Sequence, residues 1–255
     1  MISATKIIVN GDDFGKSEDV NESIEFCHRN GIMTSASLIA AGCAFDGAVN
    51  ISKRNPGLGV GVHLTLDEFN PISKQPSSVL DPSTSRFYSK EKSATNAKWF
   101  KYSRTDLVKE YAFQVEKVLD SGILITHMDH HHHLHLFWPV LDAMVEVAGK
   151  YGIPYIRSQK LITNNRQSLV KKIYRTVHQY YLRKKTRTTD GYFDLAHADF
   201  EGIFDGMVKA VVLNRDVIEI VAHPHKENKS VISFLTNEGV NKMFKTDRLI
   251  NFGNI

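Results

Sequence analysis

The sequence predicts an α/β protein built on a parallel sheet, in a single domain over residues 1–255 that closes or nearly closes into a barrel. Short apolar runs rich in β-branched residues alternate with helical patterns, which is the order that builds a parallel sheet. The chain has 255 residues, a length typical of one α/β barrel. The first run is not followed by a glycine-rich phosphate-binding fingerprint, which disfavours an open, nucleotide-binding sheet.

Six apolar runs are the candidate strands, and each is short enough to form one strand. They cover residues 6–10, 35–42, 58–66, 123–129, 154–158 and 217–225. Longer segments separate most of them, so we expect parallel strands joined by crossover connections.

Three segments between these runs have the pattern of helices. The first begins at Ser17, a good helix-capping residue, and ends before Gly31, a residue type that commonly follows a helix. The second covers residues 106–122 and carries its apolar residues on one stripe. The third covers residues 138–152 and has Pro139 in its first turn.

Two other segments do not fit this alternation. Residues 71–103 are rich in Ser, Lys, Pro and Asn and follow a predicted strand, so we expect a long loop on the substrate side of the barrel. Residues 171–187 are basic with interleaved tyrosines, but no nucleic-acid-binding motif accompanies the charge. We therefore favour an amphipathic surface helix and expect no nucleic-acid partner. The residues expected to be buried are Ile173, Val177, Tyr180 and Tyr181.

The composition is that of a soluble globular protein. Hydrophobic residues make up 42% of the chain and charged residues 24%, with a formal net charge of +4. Cys27 and Cys43 form no CxxC pair, which suits a reducing compartment. The sequence shows no signal-peptide pattern and no apolar run near the roughly 18 residues of a membrane helix. We therefore expect a cytoplasmic protein with no membrane partner.

Polar side chains follow several of the predicted strands. Asp12 and Asp13 come after the first, His63 lies near the end of the third, and Arg157 and His223 follow the last two. Active sites of α/β barrels form at the carboxyl ends of the strands, so this placement predicts a functional site. Taken one at a time, the residues have simpler explanations, since Asp favours turns and a single histidine in an apolar strand is commonly a core residue.

The densest polar cluster is the stretch "THMDHHHHLH", which holds six of the chain's 12 histidines in ten residues. Strand alternation would place His127, Asp129, His131, His133 and His135 on one face. One metal ion cannot use so many imidazoles, so the others would contact substrate, orient the ligands or face solvent. A solvated run without function is the alternative, but the position between an apolar strand and a helix disfavours it.

Six motifs, in this order, resemble the YdjC-like carbohydrate deacetylases, a family that includes chito-oligosaccharide deacetylases. The motifs are "IIVNGDDFG", "NGIMTSASLI", "GVGVHLTL", "THMDHHHHLH", "GIPYIR" and "EIVAHPH". They span most of the chain. Two positions depart from the family pattern, which usually has a small residue at His130 and glycine at His225.

The resemblance implies a fold, a metal site and residue roles. The fold would be an incomplete or irregular (β/α) TIM-like barrel of the glycoside hydrolase and deacetylase type. A divalent metal, magnesium in the family, would be held by Asp13, His63 and His131. Asp12 would be the general base and His223 the general acid. The family's members are often dimers, so a homodimer is expected.

The residues themselves leave some of this open. By the same resemblance Arg157 would position or electrostatically support the Asp12 carboxylate, whereas His127, Asp129 and His133 are candidate substrate contacts. A ligand set of one carboxylate and two imidazoles fits zinc or another transition metal at least as well as magnesium.

The implied activity is hydrolysis of N-acetyl groups on a sugar or short oligosaccharide. Two alternatives stand beside it. One is a metal-dependent barrel enzyme of another class, such as a sugar isomerase or phosphodiesterase. The other is a non-catalytic histidine-rich protein that stores or senses metal.

Overall fold

A computed structural model describes residues 5–73, 77–162, 168–195, 216–243 and 248–255. Its strands are β1 (Lys6–Phe14), β2 (Ser35–Leu38), β3 (Gly59–Leu64), β4 (Leu80–Asp81), β5 (Arg86–Phe87), β6 (Ile125–His130), β7 (Tyr192–Asp194) and β8 (Val217–Ala222). Six of them form one sheet in the order β6-β3-β2-β1-β8-β7, with every pairing parallel. The parallel α/β prediction is therefore confirmed.

The two edge strands of this sheet, β6 and β7, are linked by single parallel bridges through the segment 155–161. Met128 of β6 bridges Ile156, and Tyr192 of β7 bridges Leu161. Pro154, which has no N–H to donate, stands at the start of this segment, and only isolated bridges form along it. This arrangement is consistent with an irregular TIM-like barrel.

Helices surround the sheet. They are α1 (Glu18–Asn30), α2 (Phe45–Arg54), α3 (Lys90–Lys98), α4 (Arg104–Asp120), α5 (Trp138–Tyr151), α6 (Leu169–Lys185), α7 (Lys229–Thr236) and α8 (Glu238–Met243), with short 3₁₀ turns at His131–Leu136 and Phe252–Asn254. The three predicted helices correspond to α1, α4 and α5. The Ser17 side chain accepts a hydrogen bond from the Val20 backbone N–H, as a capping residue should.

The two faces of the sheet bury different kinds of side chain. On β1, Ile7 and Val9 belong to the large apolar core that also contains α4 and α5 residues such as Leu107 and Met144. Ile8 on the opposite face packs in a small separate cluster with Tyr155 and Phe252. Further along that second face the side chains become polar, so apolar packing at one end of the strands gives way to a polar site at the other.

The segment 71–103 is not the plain loop that we expected. It contains the hairpin formed by β4 and β5 and the helix α3, which Ser89 caps through the Lys92 N–H. The buried residues of α3 are Ser93, Asn96 and Ala97, which are small or polar. Hydrophobic periodicity therefore gives no signal for this helix. Residues 74–76 of the segment lie outside the described residues.

The basic segment is the helix α6, but three of the four residues predicted to be buried on it are exposed, and only Tyr181 packs partly buried against the core. Ile173, Val177 and Tyr180 are 56%, 55% and 62% exposed. The helix instead turns His178, Gln179 and Leu182 inward. Hydrogen bonds of the Gln179 amide to Ser158, Gln159 and Thr189 favour this orientation. A polar anchor thus overrides the apolar pattern. None of the helices in the described ranges is long and apolar enough to cross a membrane.

Candidate metal and catalytic site

The polar residues that follow the strands meet at one edge of the sheet, because all the strands are parallel. Asp12 and Asp13 lie in the last part of β1, His63 in β3 and Asp129 in β6. His131 opens the 3₁₀ turn directly after β6, and His223 follows β8 directly. Parallel order thus converts a set of separate sequence positions into one site.

Three ligand atoms converge at the centre of this site. The His131 Nδ1 atom lies 2.9 Å from Asp13 Oδ1, and His63 Nε2 lies 3.4 Å from the same oxygen. The two nitrogens are 3.4 Å apart. Atoms that bind one ion at about 2.1 Å with near-octahedral or tetrahedral angles lie roughly 3.0–3.4 Å from each other. The three residues therefore match the spacing of a metal-ligand set.

The Asp13 Oδ1 atom supports this interpretation independently. It is buried and accepts no hydrogen bond, although two imidazole nitrogens are close to it. A buried carboxylate oxygen without a donor is costly unless a cation satisfies it. Burial raises the pKa of Asp13, but His131 and His63 outweigh that effect and hold it well below its usual range. The residue is therefore a carboxylate at neutral pH.

Two other acid–histidine groups occur among the described residues. One consists of Asp67, His131 and His132, and the other of Asp12, His63 and Asp129. In each group a hydrogen bond already joins two of the three members. Asp67 Oδ2 pairs with His132 Nδ1 at 3.0 Å, and Asp129 Oδ1 with His63 Nδ1 at 2.7 Å. In each of these groups an acid is thus already paired with a histidine, whereas Asp13 Oδ1 in the first group accepts no hydrogen bond.

The backbone at the site is held in an unusual conformation. Asp13, His132 and His133 have φ values of 68°, 52° and 54°, in the left-handed region that residues other than glycine seldom adopt. Each such residue costs about 1–3 kcal/mol of conformational energy, and such residues cluster at functional sites. On β6 the alternation predicted for the histidine run holds up to His130, where the strand ends and the 3₁₀ turn takes over.

Asp129 orients the His63 ring through the ring nitrogen that faces away from Asp13. The hydrogen bond from His63 Nδ1 to Asp129 leaves Nε2 facing Asp13. Ser37 donates to Asp129 and lies 3.0 Å from His127 Nε2. The histidine is therefore fixed in one orientation by a buried polar network.

The positions of His127 and Asp129 differ from the substrate contacts that we expected. Both side chains are fully buried. His127 Nδ1 and Nε2 lie within hydrogen-bonding distance of Thr126 and Ser37, and the ring stacks on Phe252 with centroids 4.0 Å apart. No ring nitrogen of His127 is left to reach a sugar.

Arg157 is the hub of a buried charge cluster. Its guanidinium donates two hydrogen bonds to the Asp12 carboxylate, at 2.8 and 2.7 Å. It also lies 2.5 Å from Asp129 Oδ2 and donates from Nε to Glu219 Oε1 at 2.9 Å. The predicted contact between Arg157 and Asp12 is present. A planar guanidinium bound at two points fixes the direction of a carboxylate better than a lysine would.

His223 stands beside Asp12 at the more open side of the site. Its Nε2 atom is 3.8 Å from Asp12 Oδ2, its Nδ1 atom is 3.9 Å from Asp194 Oδ1, and the side chain is 30% exposed. His133 Nε2 pairs with the other oxygen of Asp194 at 3.1 Å. His223 and His133 therefore share one carboxylate at the rim, within reach of a bound molecule. His130 faces away, toward the Tyr111 hydroxyl at 3.0 Å.

Sequence reasoning did not identify several supporting residues. Asn10 donates to Asp12 at 2.8 Å, and Ser37, Asp194 and Glu219 make the contacts described above. Two of them had a detectable signal. Asn10 is two residues before Asp12 on the same strand face, and Glu219 is a lone charge inside the apolar run "VIEIVA". Ser37 and Asp194 carry no such signal, because their roles depend on packing between distant segments.

The fold and site together define a class of protein, a parallel α/β barrel-type protein with an acid–histidine centre at the carboxyl edge of its sheet. The comparison with known families is more specific. The profile of the family described as "YdjC-like protein" matches residues 6–249. The chain belongs to this family.

Known relatives agree with the family assignment. A protein from Clostridium beijerinckii named carbohydrate deacetylase is 30% identical over 228 residues, which cover 89% of this chain and 84% of the relative. A Listeria monocytogenes protein of the same name is 32% identical, covering 86% of this chain and 81% of its own.

Solved structures show the same fold. A candidate cellobiose-phosphate cleavage protein from Enterococcus faecalis superimposes with a TM-score of 0.80 at 25% identity, covering 99% of each chain. The lactam utilization protein from Thermus thermophilus, at 13% identity and a TM-score of 0.50, shares the fold over 94% of this chain and 97% of its own.

Proposed function

We propose that this protein is a metal-dependent hydrolase that removes acetyl groups from N-acetylated sugars or short oligosaccharides. The observation that carries the proposal is the convergence of Asp13, His63 and His131 beside a carboxylate, Asp12, that Arg157 holds in place. The relatives named carbohydrate deacetylase supply the substrate class. The Enterococcus faecalis neighbour, described for cellobiose-phosphate cleavage, also points to a saccharide.

The three converging residues would hold a divalent cation. The cation supplies a Lewis acid, which polarises the acetamide carbonyl and lowers the pKa of water. Magnesium follows from the resemblance to the family, but the two imidazole nitrogens favour zinc or another transition metal on chemical grounds. Three protein ligands leave coordination positions free, as hydrolysis requires.

Asp12 would act as the general base. One of its carboxylate oxygens lies within 4.8 Å of a His63 ring nitrogen, so it is next to the ligand set without being one of the three converging residues. Arg157 and Asn10 fix its orientation by hydrogen bonds. The base accepts the proton that water loses as it attacks the carbonyl carbon.

His223 would act as the general acid. The carbon–nitrogen bond breaks readily only if the leaving amine nitrogen is protonated, and the partly exposed His223, beside Asp12, is a suitable donor. Asp194 is near its Nδ1 atom, on the far side from Asp12. His133, which contacts the same aspartate and is 22% exposed, is the best placed of the predicted substrate contacts.

The direct test is acetate release from N-acetylglucosamine and its short β-linked oligomers. We expect acetate and free amine in equal amounts from the native protein. An Asp12→Asn variant, which keeps the shape of the side chain, should release almost none. Absence of acetate from every substrate, with the protein folded and metal bound, would overturn the proposed reaction. A homodimer is part of the proposal by resemblance to the family, and sedimentation analysis tests it. A cytoplasmic location is part of the proposal because the sequence has two unpaired cysteines and no signal-peptide pattern.

A further inference from the structure

Two charged residues that the proposed mechanism does not use lie against the metal-ligand set. Lys16 lies two residues after the end of β1, and Glu68 lies four residues after the end of β3. The backbone of Glu68 has a positive φ of 57°. The Lys16 ammonium is 3.4 Å from Asp13 Oδ2 and 3.2 Å from Glu68 Oε2. The same Glu68 oxygen is 3.1 Å from His131 Nε2.

These contacts close a ring of four side chains. The ring runs from Asp13 Oδ2 to Lys16, to Glu68, to His131 Nε2, and from His131 Nδ1 back to Asp13 Oδ1 at 2.9 Å. Two members are candidate metal ligands, and each meets Lys16 or Glu68 through the atom that does not face the centre. Glu68 Oε1 also faces His132 Nε2, at 3.5 Å.

We propose that Lys16 and Glu68 are positioning residues that make Asp13 and His131 each present one atom to the metal. The inference rests on the proposed function, because it requires a cation at that centre. Glu68 acts on His131 and Lys16 acts on Asp13. The ion pair between Lys16 and Glu68 holds both side chains in these positions.

The Glu68 part follows from imidazole chemistry. A neutral imidazole carries its proton on one nitrogen and binds metal through the other. When His131 Nε2–H donates to Glu68, Nδ1 is the atom left with a lone pair, and it is the atom beside Asp13. Asp129 does the same for His63 through the opposite nitrogen. Asp129 is fully buried, whereas the Glu68 side chain is 39% exposed.

The Lys16 part follows from carboxylate chemistry. A carboxylate can bind one cation through both oxygens, which would take an additional coordination position. Lys16 occupies Asp13 Oδ2 and leaves only Oδ1 for the metal. A position is therefore kept for water or substrate. A positive charge so close to a ligand also weakens the attraction of the site for a cation. Removing Lys16 should therefore strengthen metal binding while it slows the reaction.

The test of Glu68 measures metal affinity rather than activity. Titration of the metal-free protein with Zn²⁺ in competition with a chromophoric chelator gives the dissociation constant. Glu68→Ala should weaken binding by about 10–100-fold, the range typical for loss of a residue that orients a metal ligand. Glu68→Gln keeps an acceptor for His131 Nε2–H and should restore most of the affinity. Glu22→Ala, which breaks the exposed 2.8 Å pair with Lys226, is the matched control and should have no effect.

The test of Lys16 compares two readouts on one variant. Lys16→Met should bind Zn²⁺ at least as tightly as the native protein, while its kcat for acetate release falls at least tenfold. The visible spectrum of the Co²⁺-loaded variant should also change, because it reports coordination number without any substrate. Circular dichroism melting of each variant separates these effects from loss of the fold.

The outcomes distinguish this inference from the function on which it rests. The positioning role of Glu68 is refuted if the Zn²⁺ dissociation constant of Glu68→Ala lies within twofold of the native value. It is also refuted if Glu68→Gln and Glu68→Ala lose Zn²⁺ affinity equally. Weaker binding or an unchanged Co²⁺ spectrum in Lys16→Met refutes the role of Lys16. In either case the proposed deacetylase would stand. If the native protein itself binds no divalent cation, the metal site and this inference fail together.

Discussion

Replacement of Glu219 by glutamine should change how the stability of the protein depends on pH. Glu219 is fully buried in the Arg157 cluster with two other carboxylates, and its Oε2 atom has no hydrogen-bond partner. Burial raises the pKa of Glu219 from 4.5 to about 7, although Arg157 opposes the shift. The folded state therefore holds a proton at this residue over a pH range in which the unfolded chain has lost it.

The sign and size of the effect follow from this difference. Between pH 4.5 and about 7 the folded state binds more protons than the unfolded state, so the contribution of Glu219 to stability falls as the pH rises. At roughly 1.4 kcal/mol per pKa unit, the total loss is about 3 kcal/mol. Glutamine resembles the protonated acid and still offers an oxygen to Arg157, but it cannot lose a proton. Between pH 4.5 and pH 8, the free energy of unfolding of the variant should therefore rise by about 3 kcal/mol relative to that of the native protein.

Urea unfolding at pH 4.5 and pH 8 measures this difference. Both proteins are unfolded in the presence of a chelator, because metal binding has a pH dependence of its own. Titrating groups outside the Arg157 cluster cancel in the comparison of variant with native protein. Glu22→Gln, at an exposed position, is the control and should show no change with pH. If the difference in unfolding free energy between Glu219→Gln and native protein is the same at both pH values, the claim that the folded protein keeps a proton on Glu219 is refuted.

Four further substitutions test the site and the fold. Asp12→Asn should lower kcat by about 10²–10⁴-fold with the metal content unchanged, and near-native turnover would remove Asp12 as the base. His131→Ala removes one of three ligands and should lose metal on dialysis, so retained metal by elemental analysis would exclude it. His223→Ala should slow the acetamide far more than an anilide, whose leaving amine needs less protonation, and equal losses would contradict an acid at this position. Leu141→Ala, at a fully buried position of α5, should cost about 2–5 kcal/mol in urea unfolding, and a loss below about 1 kcal/mol would contradict that packing.

The sequence predicted the parts of this molecule that depend on local pattern. Apolar runs identify five of the six strands of the main sheet, and the capping residue Ser17 marks the start of α1. The run at 154–158 forms only isolated bridges, and β7 was not predicted. Because parallel strands bring their carboxyl ends to one edge, the polar residues that follow them could be expected at one site before any distance was known. The choice of Asp13, His63 and His131 among them came from the resemblance to the deacetylase family. Their convergence within 3.4 Å agrees with that expectation.

The remainder depends on contacts between distant segments, which a single sequence does not display. Glu68 and His131 meet across 63 positions, and Ser37 and Asp129 across 92. The orientation of α6 depends on hydrogen bonds of Gln179 rather than on its apolar stripe. The helix α3 buries small and polar residues, so hydrophobic periodicity could not reveal it. Packing and buried hydrogen bonds decide these features.

The central claim is that a cation held by Asp13, His63 and His131 is required for deacetylation. Its most direct test is acetate release from N-acetylglucosamine oligomers before and after the metal is stripped with a chelator, with the bound ion counted at each stage. We expect one ion per chain, loss of acetate release on stripping, and recovery when a divalent ion is restored. Undiminished release from the metal-free protein would contradict the account.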